Sequence, residues 1–254
     1  MIHQPRTALV TGGARRIGAA IVRDLAQNGF AVAIHCNRSR VEAEALAAEI
    51  VREGGQAAVV PADLTKLEEA GDLVARAAEH LGPIGLLVNS ASIFVRDEID
   101  SFEWEVWDAH FGVHVKAPVL LARRLSEALP PDMAGLVVNI IDERVWRPNP
   151  HFFSYTLSKS ALWDATRTMA QALAPRVRVN AIGPGPTLPN IRQQRADFDR
   201  QVAGLLLERG PDLSEFGATV RYLFETMSVT GQMIAIDGGQ HLAWQTPDVT
   251  GMKE

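Results

Sequence analysis

Tyr155 and Lys159 stand four positions apart, so on a helix they share one face. An ammonium beside a phenol favours the phenolate, and this pair is expected to lower the tyrosine pKa from its usual value of about 10. Tyr155 could then give or take a proton near neutral pH. Two common residues at helical spacing are also what an ordinary surface pair looks like, so the pair needs company. Asp142 lies thirteen positions upstream and meets it only if the chain folds back.

The segments that must position these residues alternate between strand and helix. Thr7–Val10 reads as a buried parallel strand. Thr11-Gly12-Gly13-Ala14-Arg15-Arg16-Ile17-Gly18 follows, then a helical pattern through Ile21, Val22, Leu25 and Ala26 that closes at Asn28-Gly29. Glycines between a strand and a helix let backbone approach a pyrophosphate, and the helix start offers unpaired N–H groups. The spacing departs from G-x-G-x-x-G, and a plain strand-to-helix turn is the alternative. A second strand, Phe30–His35, ends in Cys36-Asn37-Arg38-Ser39 rather than in an acid. An acid there would bind the ribose hydroxyl of NAD, whereas Arg38, with Ser39, His35 and Asn37, suits the extra phosphate of NADPH. A solvated loop charge is the alternative for Arg38.

A helix over 40–53 and a strand over 57–60 lead to Asp63-Leu64. Here the carboxylate either accepts a hydrogen bond from an adenine amino group or caps the helix that runs from Thr65 to Leu81. A strand over 84–88 ends in Asn89-Ser90-Ala91-Ser92-Ile93-Phe94, and Phe94 could stack on a flat ring or simply pack. Asp97 to Glu105 reads as an acidic, solvated loop. Further on, the pattern predicts a helix over 111–129 and a strand over 135–141 with Asp142 at its C-terminal end. A helix then carries Tyr155 and Lys159 to about Ala174, followed by strands over 177–182 and 233–236 with a helix over 213–227 between them. The polar, arginine-rich segment 184–212, with a short helix near 196–208, reads as a substrate lid. Ligands of open α/β sheets lie beyond the C-terminal strand ends, so Asp142 and the Tyr155/Lys159 pair are expected to face one crevice.

Composition bounds the class. The 254 residues, 47% hydrophobic and 22% charged, fit one α/β domain spanning 1–254. A net charge of -5 with no basic cluster argues against nucleic acid, and no apolar run reaches the roughly 18 residues of a membrane helix. Cys36 is the only cysteine, so no intrachain disulfide is possible and a small buried hydrophobe is its expected role. Met1–Gln4 lead straight into the first strand, so no signal peptide and a cytoplasmic location are expected. His110 and His114 have metal-ligand spacing, but without an intervening glutamate or a third ligand no metal is expected. Trp104, Trp107, Trp146 and Trp163 read as packing or interface residues.

The whole chain resembles the short-chain dehydrogenase/reductase family. The resemblance rests on Thr11-Gly12-x-x-x-Arg16-x-Gly18, Asn89-x-Ala91, Tyr155-x-x-x-Lys159, Pro184-Gly185 and Asp237-Gly238-Gly239. It implies a Rossmann-type doubly wound α/β domain with a seven-stranded parallel sheet, usually assembled as a homotetramer. Tyr155 would be the general acid, with Lys159 on the nicotinamide ribose. Cofactor contacts would fall to Gly12, Arg15, Arg16, Ile17, Gly18, His35, Asn37, Arg38, Ser39, Asp63, Leu64, Asn89, Ser90, Ala91, Lys159, Pro184 and Gly185. Two positions depart from the general pattern: Asp142 stands where the family has its catalytic serine, and His114 where it has a helix asparagine.

Asp142, the arginine of the glycine loop, His35-x-x-Arg38-Ser39 and Ala91-Ser92-x-Phe94 resemble pteridine reductases and the bacterial dihydromonapterin reductases that also reduce dihydrofolate. Substrate contacts would then be Arg16, Ser92, Phe94, Asp142, Tyr155 and Pro184. The chemistry agrees. Ketone reduction builds negative charge on oxygen, which a carboxylate opposes, whereas C=N reduction is helped by protonating nitrogen, which an ionised Asp142 would favour. A protonated Asp142 imitating serine stays open. The expected activity is NADPH-dependent reduction of a dihydropterin or folate. A carbonyl or 3-oxoacyl reductase and an NADPH-binding regulatory protein are the alternatives.

Overall fold

The computed structural model describes residues 4–189 and 193–250. Residues 190–192 of the expected lid lie outside the described residues, as do 1–3 and 251–254. The chain runs β1 (Thr7–Thr11), α1 (Arg16–Gln27), β2 (Ala31–Cys36), α2 (Arg40–Arg52), β3 (Ala57–Pro61), α3 (Leu67–Gly71), α4 (Leu73–Leu81) and β4 (Leu86–Asn89). It continues with α5 (Trp104–Phe111), a π-helical turn (Gly112–Lys116), α6 (Ala117–Ala128), β5 (Gly135–Ile140), α7 (Phe153–Leu173), β6 (Val177–Pro184), α8 (Arg195–Ala203), α9 (Leu213–Glu225) and β7 (Met233–Ile236).

The strands form one parallel sheet in the order β3-β2-β1-β4-β5-β6-β7. Its strands are short apolar runs because both faces are covered, and every residue of β1, β4 and β5 is buried. Helices α1, α2 and α9 fill one face around Ile21, Leu46 and Phe216. Helices α3, α4, α6 and α7 fill the other around Leu73, Leu121 and Ala170. Gly217 lets α9 lie directly on α1, since a Cβ there would come 2.3 Å from the Asp24 Cβ. The Arg221–Asp24 ion pair at 2.6 Å then closes that contact. Strand order reverses between β1 and β4, which opens a crevice above their C-terminal ends.

Most element ends shift by one or two residues from the sequence expectation, as helix and strand boundaries do. Three differences are larger. The helix expected over 111–129 begins at Trp104 and widens into the π-turn before α6. The short helix of the expected lid ends at Ala203. Asp97, expected in a solvated loop, is 5% exposed, because its carboxylate receives the Ser154 amide and hydroxyl at the start of α7. That partner is 57 residues away in sequence, beyond the reach of any local pattern.

Candidate active site

The chain folds back as expected, and Asp142 meets Tyr155. Asp142 follows the end of β5 in extended backbone (φ -173°) and caps a short 3-10 turn, Glu143–Val145. Its Oδ1 accepts the Arg144 amide at 3.0 Å and its Oδ2 accepts the Tyr155 hydroxyl at 2.8 Å. One carboxyl oxygen thus holds a backbone amide and the other the phenol. Helix α7 buries Tyr155 and Lys159 on one face. The Lys159 Nζ donates to the Ile140 carbonyl at 2.8 Å and lies 5.7 Å from the Tyr155 ring centroid.

This geometry corrects the electrostatic expectation. Burial, followed by the charge of Asp142 and its hydrogen bond, pushes the Tyr155 pKa well above its usual value instead of lowering it. Burial also lowers Lys159 to about 8, partly offset by Asp142. A buried phenol beside a carboxylate keeps its proton, so the protein alone presents a proton donor, not a phenolate.

Aromatic rings wall this centre. Phe94 stands edge-on to Tyr155 (4.8 Å, 82°) and is stacked by Phe152 (4.1 Å, 10°). Phe152, at the start of α7, has a left-handed backbone (φ 58°), a strained conformation for an aromatic residue. The Arg144 guanidinium lies 5.1 Å from the Phe152 ring and 5.8 Å from Phe94. The Ser92 hydroxyl reaches His114 Nε2 at 3.1 Å. His114 is buried, and burial, then the Lys159 charge, holds it well below the usual histidine pKa, hence neutral. No group of three or more histidine, cysteine, aspartate or glutamate side chains among the described residues could hold a metal ion.

The expected cofactor residues divide between two places. A cavity of about 220 Å³ is lined by Gly12, Arg15, His35, Asn37, Arg38, Ser39, Asp63, Leu64 and Ala91, with Ser92 also on its wall. Arg38 has no ion-pair partner among the described residues, whereas Arg15 pairs with Glu42. Cations at the end of β2, with no acid at that strand end, fit an added phosphate. His35 lines the cavity, but both its nitrogens serve the fold. Nδ1 accepts the Gly12 amide at 3.0 Å and Nε2 donates to Ala62 at 3.1 Å, and burial lowers its pKa to about 4. Asp63 Oδ1 accepts the amide and hydroxyl of Thr65 and caps that turn, while α3 begins only at Leu67.

The other expected residues do not line that cavity, although some are tied to residues that do. Gly12 (φ +63°) lies so close to the β4 end that a Cβ would sit 2.8 Å from Ala91 Cα, and a Cβ on Gly18 would meet the Gly12 carbonyl. The amides of Ser90 and Ala91 donate to Thr11 Oγ1, which ties β4 to the glycine loop. Asn89 donates to Asn139 at 2.8 Å. Ile17 packs in the first turn of α1, and the Gly185 amide, after Pro184, donates to Ile236. Arg16 differs from expectation: with a left-handed backbone (φ 54°), it donates to the carbonyls of Leu188 and Pro189 at the base of the expected lid. A larger cleft of about 700 Å³, around Arg6, Phe30 and Glu53, opens at the other end of the sheet and contains none of the expected residues.

Several residues of the centre carried no sequence signal. Glu143 is buried, and burial, then Asp142, raises it to about 7. Ser154 and Ser158 receive His110 and His114 at 2.7 and 2.8 Å. The matching four-residue spacings of the two pairs were the one available clue.

The family described as short chain dehydrogenase matches residues 6–200. A solved structure from Brucella canis, FolM alternative dihydrofolate reductase 1 complexed with NADP, superposes with a TM-score of 0.94 at 62% identity, covering 96% of this chain and 97% of that one. The Brucella suis counterpart, also with NADP, has the same score and identity over 98% and 100%. Among curated relatives, the 3-oxoacyl-[acyl-carrier-protein] reductase FabG of Staphylococcus epidermidis is 26% identical over 93% of this chain and 99% of its own. Human dehydrogenase/reductase SDR family member 4 is 35% identical over 92% and 87%.

Proposed function

The chain belongs to the short-chain dehydrogenase family, and we propose that within it the protein is an NADPH-dependent reductase of a pterin-type C=N bond, acting on dihydromonapterin, a dihydrobiopterin-like compound or dihydrofolate. The observation that carries this reading is the 2.8 Å hydrogen bond from Tyr155 to Asp142. A carboxylate occupies the place where ketone reduction calls for a hydroxyl donor. The 62% identity to proteins described as alternative dihydrofolate reductases in complex with NADP supports it.

NADPH, when bound, supplies the hydride. Arg38, with Arg15 and Ser39, would hold its extra phosphate in the 220 Å³ cavity, and Lys159 would hold the nicotinamide ribose. Reduction of C=N leaves an electron pair on nitrogen that needs a proton, and Tyr155, held protonated by burial and Asp142, is the donor at hand. Asp142 stabilises positive charge gathering on that nitrogen, and once the phenol has given up its proton the carboxylate can take one from solvent and pass it to the phenolate through the same hydrogen bond. Phe94 offers a face for a fused heteroaromatic ring. The whole chain would act as one reductase domain with 184–212 as its lid, assembled as a homotetramer in the cytoplasm.

Purified protein should consume NADPH with a dihydropterin and use NADH much less well. No turnover with any dihydropterin overturns the proposal, and NADPH binding by calorimetry without turnover of pterins or ketones would point to a regulatory protein. The curated 3-oxoacyl reductase relative favours carbonyl reduction as a second reading. Asp142→Ser separates the two: in a pterin reductase it should lower pterin turnover and raise ketone turnover, whereas a carbonyl reductase already acts on ketones with Asp142 in place.

A further inference from the structure

Between β4 and α5 the chain passes the Tyr155 side of α7 without helix or strand, and alternate residues are tied down. The Ile93 amide donates to His114 Nε2 at 3.1 Å and the Val95 amide to His110 Nε2 at 3.4 Å. Asp97 binds Ser154. Because each Nε2 accepts, the ring protons sit on Nδ1, where they donate to Ser158 and Ser154. Those hydroxyls pass the chain on, Ser158 to the Tyr155 carbonyl at 2.7 Å and Ser154 to Asp97. Both rings are buried, lie 5.6 Å apart and nearly parallel, and present themselves to the Tyr155 ring at 5.9 and 5.3 Å.

The amides of Ile93 and Val95 both face the two adjacent imidazoles. Fixing residues 93 and 95 to the helices therefore leaves Phe94 between them in one orientation, edge-on to Tyr155. We propose that His110 and His114 are positioning residues for the substrate subsite, a two-point clamp on the amides of Ile93 and Val95 that sets Phe94 against Tyr155 for a flat heteroaromatic substrate. Imidazole suits this task because one rigid ring accepts from the loop on one side and donates to a serine of α7 on the other. The π-turn that carries His114 marks a departure from regular helix at this contact. The substrate part of the inference rests on the pterin reading above, whereas the clamp itself does not.

Amide hydrogen exchange, followed by NMR on the intact protein, reads the clamp directly. The Ile93 and Val95 amides should exchange at least about 100-fold more slowly than those of Phe94 and Arg96, which make no hydrogen bond among the described residues. Equal rates at all four positions overturn the proposal. In His110→Leu and His114→Leu the clamped amide should exchange at least about tenfold faster, and KM for a dihydropterin should rise roughly tenfold, with the NADPH Kd changed less than about threefold. His114→Gln, which keeps an acceptor near the Nε2 position, should restore the wild-type KM and Ile93 protection. A pterin KM unchanged in both leucine variants, a matching rise in the NADPH Kd, or a glutamine variant as impaired as leucine would each overturn it. Should the leucine variants fail to fold, wild-type exchange and His114→Gln decide the matter. Absence of pterin turnover in the wild-type protein would remove the proposed function and leave the exchange result standing.

Discussion

Tyr155 keeps its proton, so Lys159 is the group beside it whose charge changes near neutral pH. Burial places Lys159 at about 8, charged below that pH and neutral above. If its ammonium holds the ribose, kcat/KM should be level near pH 7 and fall as pH rises through about 8. Lys159→Arg, which stays charged, should move that fall upward, and a wild-type profile flat to pH 9.5 would contradict the role. Tyr155→Phe should lower kcat about 10²- to 10³-fold with NADPH binding by calorimetry unchanged. Glu143 makes a separate prediction. Its folded pKa is raised from 4.5 to about 7, so between those values the folded state holds the extra proton. Unfolding free energy therefore falls as pH rises through that window and stays reduced above it. Glu143→Gln should gain about 1–2 kcal/mol at pH 8 and nothing at pH 4.5 by chemical denaturation. An equal difference at both pH values would place the effect elsewhere.

At the scale of elements, the end of β2 and the glycine loop act as one unit. His35 on β2 accepts the Gly12 amide, and Thr11 accepts the amides of Ser90 and Ala91, so three strand ends share one frame around the cavity. Arg38, which has no ion-pair partner among the described residues, projects from that frame. Arg38→Ala should weaken NADPH about ten- to hundredfold and NADH little, by calorimetry with both nucleotides. Equal loss for both would mean the arginine serves the fold. Gly12, Arg38 and Ser39 were legible because a strand, a glycine turn and a missing acid are local signals. Arg16 was legible as a loop residue, but its bonds to Leu188 and Pro189 were not, since those carbonyls lie more than 170 residues along the chain. Asp97 was misjudged for the same reason: its partner, Ser154, lies on α7.

At the scale of the molecule, the exposed Trp104 meets Phe102 and Trp107 in an aromatic cluster on α5 and the loop before it. An exposed aromatic face of this kind suits assembly. Light scattering should find four copies, and Trp104→Glu with Trp107→Glu should shift the population to smaller species; a monomeric wild-type protein would refute the tetramer. The sheet order puts β1, β4 and β5 side by side, and this adjacency brings the glycine loop, the Asn89–Phe94 segment and Asp142 to one crevice. Amino-acid order alone determined the alternation of strands and helices, the helical face shared by Tyr155 and Lys159, and the acid in the serine position, because apolar periodicity and fixed spacings are local. Tertiary structure decided what each charge does. Whether Lys159 lowers or burial raises the Tyr155 pKa depends on how much water is excluded and on which side Asp142 arrives. The histidines became a clamp only when a distant loop presented its amides to them. Desolvation and long-range hydrogen bonds are properties of packed surfaces, and no window of sequence contains them.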